Sequence, residues 1–339
     1  MNATAVEGDR IAFRLPGYAD ATGVRLWQDV ELPEPLELNR VETGWELRLP
    51  IPPVDRLEYL YEVSTAAGRE SITDPTNPLV VAGAFGDHSW LPFGDYQPPA
   101  WLEARPALAA EVPLLVPDTG VGEIAGRLWS PYETKPGERL PLLVVHDGPE
   151  FDELAALTTY AGAVIAEGTL PRFRVALLDP GDRNARYAAN PDYADALVDE
   201  VLPAIAGTEG APVLMGASLG ALAALHAHWR HPGAFGGLFL QSGSFFTPRT
   251  DAMERDFAFF RPVTRFVRRV ATTKQDGVPA SLTCGSAEEN VQNNRLMADR
   301  LRDLGWPTAY AESRDAHNFT AWRDMLHPHL TELLAHVWR

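Results

Sequence analysis

The chain has 339 residues, 45% of them hydrophobic and 22% charged, with a formal net charge of −17 and a single cysteine, Cys284. That is globular composition for about two domains of ~150 residues, and it excludes intrachain disulfides and cysteine-cluster metal or iron–sulfur sites. The acidic balance argues against a general nucleic-acid or anionic-membrane binder, because phosphate contacts need a cationic surface.

Residues 1–14 hold Glu7, Asp9, Arg10 and Arg14 and lack the basic start and apolar stretch of a secretory signal. No run of 18 apolar residues occurs, so no bilayer span is expected and the cytoplasm is the expected location. Up to about residue 115 the chain reads as short strands. Phe13, Val24, Leu26, Trp27, Trp45, Leu47, Leu49 and the run Leu57 to Val63 are β-formers in alternation, separated by Gly, Pro and Asp turns. This is the pattern of a small β-sandwich. A proline-rich passage from Gln97 to Pro106, followed by Pro113 and Pro117, stiffens the connection and marks a boundary near residue 110. Residues 1–110 are therefore expected to form the β module and residues 111–339 a second domain.

Beyond the boundary, apolar runs alternate with longer amphipathic stretches: Leu140–Val145, Leu154–Ile165, Val175–Leu178, Tyr193–Ile205, Val213–Met215, Ala221–Trp229 and Leu238–Leu240. Near-continuous apolar strands between helices are buried on both faces, so a mostly parallel sheet with flanking helices is expected. The turn at residues 132–138 joins a strand over Ile124 to Trp129, expected antiparallel to the first parallel strand. Residues 249–274 carry a net charge of +4, from seven basic and three acidic residues, and read as a basic cap segment.

The chemistry centres on Gly216-Ala217-Ser218-Leu219-Gly220, which follows the short strand Pro212 to Met215 and precedes a helix. In that context G-x-S-x-G reads as a nucleophile elbow. The serine sits in a tight strand-to-helix turn, and the helix N-terminus offers free N–H groups to a developing oxyanion. A serine needs a base. His317 lies in a loop after the last expected strand, Thr308 to Glu312, where an α/β hydrolase places its histidine, in the order Ser, acid, His. The acid falls after the strand Ser281 to Cys284, where Glu288 and Glu289 are the candidates and Glu288 is preferred. The oxyanion donors are expected to be the N–H of Leu219 and one from the loop His146 to Phe151. Pro149 has no N–H, which leaves Glu150 or Gly148. His146 ends the first parallel strand, where ligands gather.

Several motifs recur together. They are His146-Asp147-Gly148, the segment Arg183 to Tyr187 leading to Glu200-Val201-Leu202-Pro203, the elbow, the run Gln241-Ser242-Gly243-Ser244-Phe245, and His317 followed by Trp322-Arg323. With Gly44-Trp45, Tyr59-Leu60-Tyr61 and Asp74-Pro75-Thr76-Asn77-Pro78 in the N-terminal part, the chain resembles the enterochelin (ferric-siderophore) esterase branch of the esterase D-like α/β hydrolases over nearly its whole length. The resemblance implies an α/β-hydrolase domain preceded by an all-β immunoglobulin-like sandwich. It also implies Ser218 as nucleophile, His317 as base, an acid near Glu288, and hydrolysis of esters in a catecholate siderophore scaffold. The loop before His317 reads Asp315-Ala316 where relatives usually carry a glycine pair.

Arg183, Arg186 and the basic segment could place guanidinium groups round the mouth of the site, and Arg suits an anionic catecholate better than Lys. Of the basic residues only Lys135 and Lys274 are not arginine. No metal or organic cofactor is implied. The expected partner is a small-molecule ester, with no nucleic acid and no membrane, and self-association is left open. A carbohydrate or feruloyl-type esterase with an aromatic platform such as Trp45 or Trp90, an acyltransferase on the same residues, and a non-catalytic binding protein are the rival readings.

Overall fold

Contacts divide the computed structural model, which describes residues 3–30, 32–104 and 109–339, into two compact units. One comprises Met1–Gln97 together with two short loops from far along the chain, Gly285–Glu288 and Arg314–Asn318. The other comprises Pro98–Cys284, Glu289–Ser313 and Phe319–Arg339. Pro106 of the proline-rich passage lies outside the described residues.

In the first unit the alternating residues form β1 (Ala5–Glu7), β2 (Arg10–Pro16), β3 (Gly23–Gln28), β4 (Asn39–Val41), β5 (Gly44–Pro50), β6 (Arg56–Thr65), β7 (Gly68–Ile72), β8 (Val80–Gly83) and β9 (Gly86–Pro92). Two antiparallel sheets result, one ordered β1-β2-β5-β4 and the other β3-β6-β9-β8 with β7 beside β6. Period-2 patterning turns Phe13 and Leu15 of β2, Leu47 of β5, Leu26 of β3 and Tyr59 and Tyr61 of β6 into one shared apolar core. The Asp74–Pro78 motif closes that core's polar side. Tyr59 and Tyr61 donate their hydroxyls to Oδ2 of Asp74 at 2.8 and 3.2 Å. Asn77 Nδ2 donates to the carbonyl of Trp90 at 2.9 Å. Trp45 is part of the core, and Trp90 packs edge-on against Tyr96 with ring centres 6.0 Å apart. Trp45 is therefore a packing residue and does not offer an open aromatic platform.

The second unit holds β10 (Ala109–Thr119), β11 (Gly122–Pro131), β12 (Leu142–Val145), β13 (Arg174–Leu178), β14 (Val213–Ala217), β15 (Gly237–Gln241), β16 (Ala280–Gly285) and β17 (Thr308–Ser313). Among the described residues they form one mixed sheet in the order β10-β11-β13-β12-β14-β15-β16-β17. The pairs from β13 through β16 are parallel, while β10–β11 and β11–β13 are antiparallel. The strand before the turn at 132–138 thus pairs with β13 and not with the first parallel strand. The crossover from β12 returns β13 to that side, between β11 and β12.

The helices are α1 (Gly148–Ala155), α2 (Leu157–Ala166), α3 (Arg183–Tyr187), α4 (Pro191–Ala196), α5 (Leu202–Ala204), α6 (Leu219–Arg230), α7 (Phe260–Thr272), α8 (Val291–Asp303), α9 (Phe319–Asp324) and α10 (Thr331–Val337). Leu142 and Val144 join a core with α4, α6, α7 and α8, while Leu143 and Val145 join another with α1, α2, α9 and α10. Burial on both faces is the reason these strands read as continuous apolar runs. The stretch 154–165 is broken at Ala156, whose φ of 51° separates α1 from α2. Among the described residues no helix is long and apolar enough to cross a membrane. Within the basic segment, α7 buries Val263, Phe266, Val267 and Val270 and exposes Arg261, Arg265, Arg268 and Arg269.

Candidate active site

β14 runs straight into α6, and the residue between them is Ser218, with φ 55° and ψ −123°. A non-glycine residue in that conformation stores about 1–3 kcal/mol and persists only where its surroundings force it. The neighbours explain how. A Cβ on Gly216 would lie 2.4 Å from the carbonyl carbon of Gly220, and one on Gly220 would lie 3.2 Å from both Oδ2 of Asp147 and Cβ of His146. The Ser218 N–H donates to the Gln241 carbonyl at 2.9 Å, which fixes the turn to the end of β15.

The segment after β15 supports the serine further. Ser244 donates its N–H to the Ser218 carbonyl at 3.1 Å, and its Oγ lies 3.2 Å from Oγ of Ser218. The Gln241 amide donates to the Trp322 carbonyl at 3.0 Å, and Trp322 Nε1 donates to Oγ of Ser242 at 2.9 Å. In the sequence the run Gln241 to Phe245 carries no signal of a role for Ser244. Nothing in its spacing announces a contact made across two strands.

Leu219 is the first residue of α6, so its N–H is one of the four that a helix start leaves without an internal partner. Gly148, Pro149 and Glu150 open α1 after Asp147, whose φ is 52°. There the first internal bond runs from Phe151 N–H to the Asp147 carbonyl at 2.9 Å, which leaves the Gly148 and Glu150 N–H groups outside the helical ladder. A Cβ at Gly148 would fall 2.3 Å from Cα of Leu177, so only glycine fits this approach to β13. Burial, with Asp147 nearby, raises the pKa of the Glu150 carboxyl.

His146 is fully buried. Its Nδ1 donates to the Gly220 carbonyl at 3.0 Å, and burial pushes its pKa down to about 3. It is thus a neutral strut beneath the elbow and does not line an open surface. Arg183 clamps the buried Asp147 with Nε and Nη2, each at 2.8 Å from one carboxylate oxygen, and lies over the Tyr187 ring. Arg186 is buried and directs Nη2 at the carbonyls of Glu123 and Val121, at 2.5 and 3.3 Å. Its Nη2 is thus engaged inside the fold, while its Nε is buried without a hydrogen-bond partner among the described residues.

His317 and Glu288 both belong to the first unit. His317 Nδ1 lies 3.2 Å from Oε2 of Glu288, whose side chain is fully buried. Glu289 is exposed. The two loops are tied together by the Ala287 N–H, which donates to the Asp315 carbonyl at 3.2 Å. Beside His317, the Asn318 amide donates to Oδ2 of Asp29 at 2.8 Å, while Oδ1 of Asp29 is buried without a hydrogen-bond partner among the described residues.

Burial, reinforced by Glu58, pushes the Asp29 carboxyl from its ordinary 3.8 up to about 6. An acid raised on folding contributes stability that is fully present below its unfolded pKa and is lost as pH rises through the folded one. Asp29→Asn is therefore expected to melt like the wild type at pH 4. Near pH 8 it is expected to be the more stable, by up to about 3 kcal/mol for a two-unit shift. Thermal melts across that range check it, and a gap that does not grow with pH refutes it.

Residues 122–333 match the family described as "Putative esterase". The iron(III) enterobactin esterase of Dickeya dadantii is 35% identical over 147 residues, which is 38% of this chain and 33% of that protein. The match thus spans a third of the length of that curated relative. Among solved structures, the enterochelin esterase of Shigella flexneri is similar with a TM-score of 0.77 and 20% identity, over 99% of this chain and 96% of the other. The ferric enterobactin esterase of Salmonella typhimurium gives a TM-score of 0.76 at 20% identity, over the same shares. At that identity the likeness shows a common fold, and function is argued from the site.

Proposed function

The chain belongs to the "Putative esterase" family, and from that membership we propose that it is a serine carboxylic ester hydrolase acting on catecholate siderophore-type esters. The observation that carries the reading is the strained turn that presents Ser218. In the proposed reaction Oγ of Ser218 attacks the ester carbonyl while His317 takes its proton on Nε2. Nδ1 faces Glu288, which fixes the imidazole tautomer and stabilises the imidazolium. The tetrahedral oxyanion accepts from the Leu219 N–H and from the Glu150 or Gly148 N–H. The C–O bond to the leaving alcohol breaks as His317 returns the proton. Water, deprotonated in turn by His317, then hydrolyses the acyl-enzyme and frees Ser218.

We take the first unit, with its two antiparallel sheets over one core, as immunoglobulin-like. The substrate class rests on the relatives named above and on charge. Arg261, Arg265 and Arg268 line an open groove of about 530 Å³ with Phe246, Thr247 and Pro248, two to four residues beyond Ser244. Among the described residues no carboxylate pairs with these arginines. Arg183, clamped to Asp147 and about one-third exposed, is included in the proposal as a further guanidinium for an anionic ester. Converting Arg265 and Arg268 to glutamate together is expected to raise KM for an anionic catecholate ester about 3–30-fold at low salt. Close to 1 M salt should largely erase the difference, because surface fields are screened. KM for a neutral p-nitrophenyl ester should stay put. Equal effects on both esters would remove the charge argument.

The test of the whole reading is a fluorophosphonate label together with kcat/KM on four esters: a short p-nitrophenyl ester, a catecholate triester with and without iron, and a feruloyl ester. Labelling at Ser218 and a clear preference for the catecholate triester are expected. Equal rates on the feruloyl ester overturn the substrate class, and an added alcohol that outcompetes water makes the protein an acyltransferase. Neither label nor turnover leaves a binding protein.

A further inference from the structure

We propose that Arg56, on β6, is a positioning residue for the base, gripping the loop that carries His317 on both sides of that histidine. The inference rests on the reading of His317 as the base. Arg56 is 1% exposed. Its Nε lies 2.8 Å from Oδ2 of Asp315, and Nη2 donates to Oδ1 of Asp315 at 3.3 Å and to Oδ1 of Asn318. One planar fork therefore holds the residue two before His317 and the residue just after it. Lysine, a single point donor, cannot reproduce that geometry.

The same loop is anchored at its other positions. The Asp55 N–H donates to the Arg314 carbonyl at 2.7 Å, and the Ala316 N–H donates to Oδ1 of Asp315 at 2.7 Å. The Ala316 methyl is packed in the core of the β unit. These anchors fall on residues 314, 315, 316 and 318, so the direction of the His317 side chain is set by what holds its neighbours.

Stability alone does not account for the arrangement. Three carboxylates surround the one guanidinium: Asp315, Glu58, which accepts from Nη1 at 2.7 Å, and Asp29, which reaches it through Asn318. His88 on β9 lies 2.8 Å from the other oxygen of Glu58. Replacing a buried ion network by packed apolar side chains is often neutral or stabilising, so this one is weak evidence for stability, and a defined loop geometry is the role assigned to it in the proposal. Burial works against the Arg56 charge, but Asp315 and Glu58 beside it outweigh burial and raise its pKa further. Arg56 thus stays charged at any working pH, while burial lifts the Asp315 carboxyl from its ordinary 3.8 to about 7, so the Asp315 end of the grip is fully ionic only above that range. Because a misplacement of about 1 Å at a reacting group can cost ~100-fold in rate, the loop's anchor is expected to show in kcat.

The experiment uses the full chain and a p-nitrophenyl ester, with rates normalised to active sites by burst titration. Arg56→Met is expected to lower kcat about 30–100-fold with KM within ~3-fold, and Arg56→Lys to restore part of the loss. The downfield Nδ1–H proton resonance of the His317–Glu288 pair, sought in the wild type, should be lost in Arg56→Met. The acid limb of its kcat/KM profile should also move. In a His317→Ala background, Arg56→Met should change the residual rate very little. Turnover that survives His317→Ala refutes the base assignment itself. An inactive His317→Ala beside a folded, fully active Arg56→Met refutes the positioning role alone. Should Arg56→Met fail to fold, Asp315→Asn cuts the same pair at nearly constant volume. It is expected to lose about 10-fold in kcat, and wild-type kcat there equally overturns the proposal.

Discussion

Ser218→Ala is expected to lower kcat on a p-nitrophenyl ester by about 10⁵-fold or more, because a serine esterase without its nucleophile keeps only substrate binding and the oxyanion donors. The residual rate should exceed that in water, since the Leu219 N–H at the start of α6 is untouched. KM should change little and the fluorophosphonate label should vanish. The same position makes a second, opposite prediction about stability. Alanine keeps a Cβ at φ 55° and ψ −123°, so Ser218→Ala inherits the strain and should melt within a degree or two of the wild type. Ser218→Gly has no Cβ to strain there and should be more stable by about 1 kcal/mol, since glycine adopts this region freely. The pair separates two causes that an inactive alanine variant alone would mix. Two unfolded variants would mean that the residue is structural. Two inactive variants, with glycine the more stable, are what a strained nucleophile requires.

The elbow was legible in the sequence because its constraint is local. Gly216 is needed where a side chain would strike the backbone of Gly220 in the same turn, and Gly220 where one would crowd the side chains of His146 and Asp147, and that need is written into five consecutive residues. The sheet order was partly legible for a related reason. Strands buried on both faces lose the alternation of half-buried ones, and Leu142–Val145 divides its side chains between two cores. The pairing of β11 with β13 was not legible, because it depends on the side to which a crossover returns. Nor was Arg186, whose charge suggested a substrate contact while its geometry feeds backbone carbonyls. The largest gap lies in the loops that carry His317 and Glu288. Arg56 meets Asp315 across 259 residues and Asn318 meets Asp29 across 289. No periodicity links such positions, so the sequence offered His317 as the base by its place after the last strand and was silent about what holds it there.

Glu288→Gln carries the other large effect and decides between adjacent carboxylates. Sequence order admitted both Glu288 and Glu289. The geometry separates them, with Oε2 of Glu288 3.2 Å from His317 Nδ1 and Glu289 exposed. Glutamine at 288 keeps the size and the hydrogen-bonding shape but removes the charge. It can also turn its amide N–H toward Nδ1, which would favour the tautomer with the proton on Nε2 and leave no base facing the serine. In the well-studied serine-protease triad the equivalent change costs about 10⁴-fold in kcat. A loss of about 10²–10⁴-fold is expected here, with KM and the melting temperature close to wild type. Raising the pH should recover little, because a misassigned tautomer is not a protonation deficit. Glu289→Gln should stay within ~2-fold, as surface substitutions generally do. If Glu289→Gln proves the damaging change, the acid assignment passes to its neighbour. If both variants keep full activity, His317 works without a carboxylate partner and the pair is a structural contact. A kcat that collapses only for Glu288→Gln, in a protein that melts normally, is the result that makes this carboxylate part of the machinery.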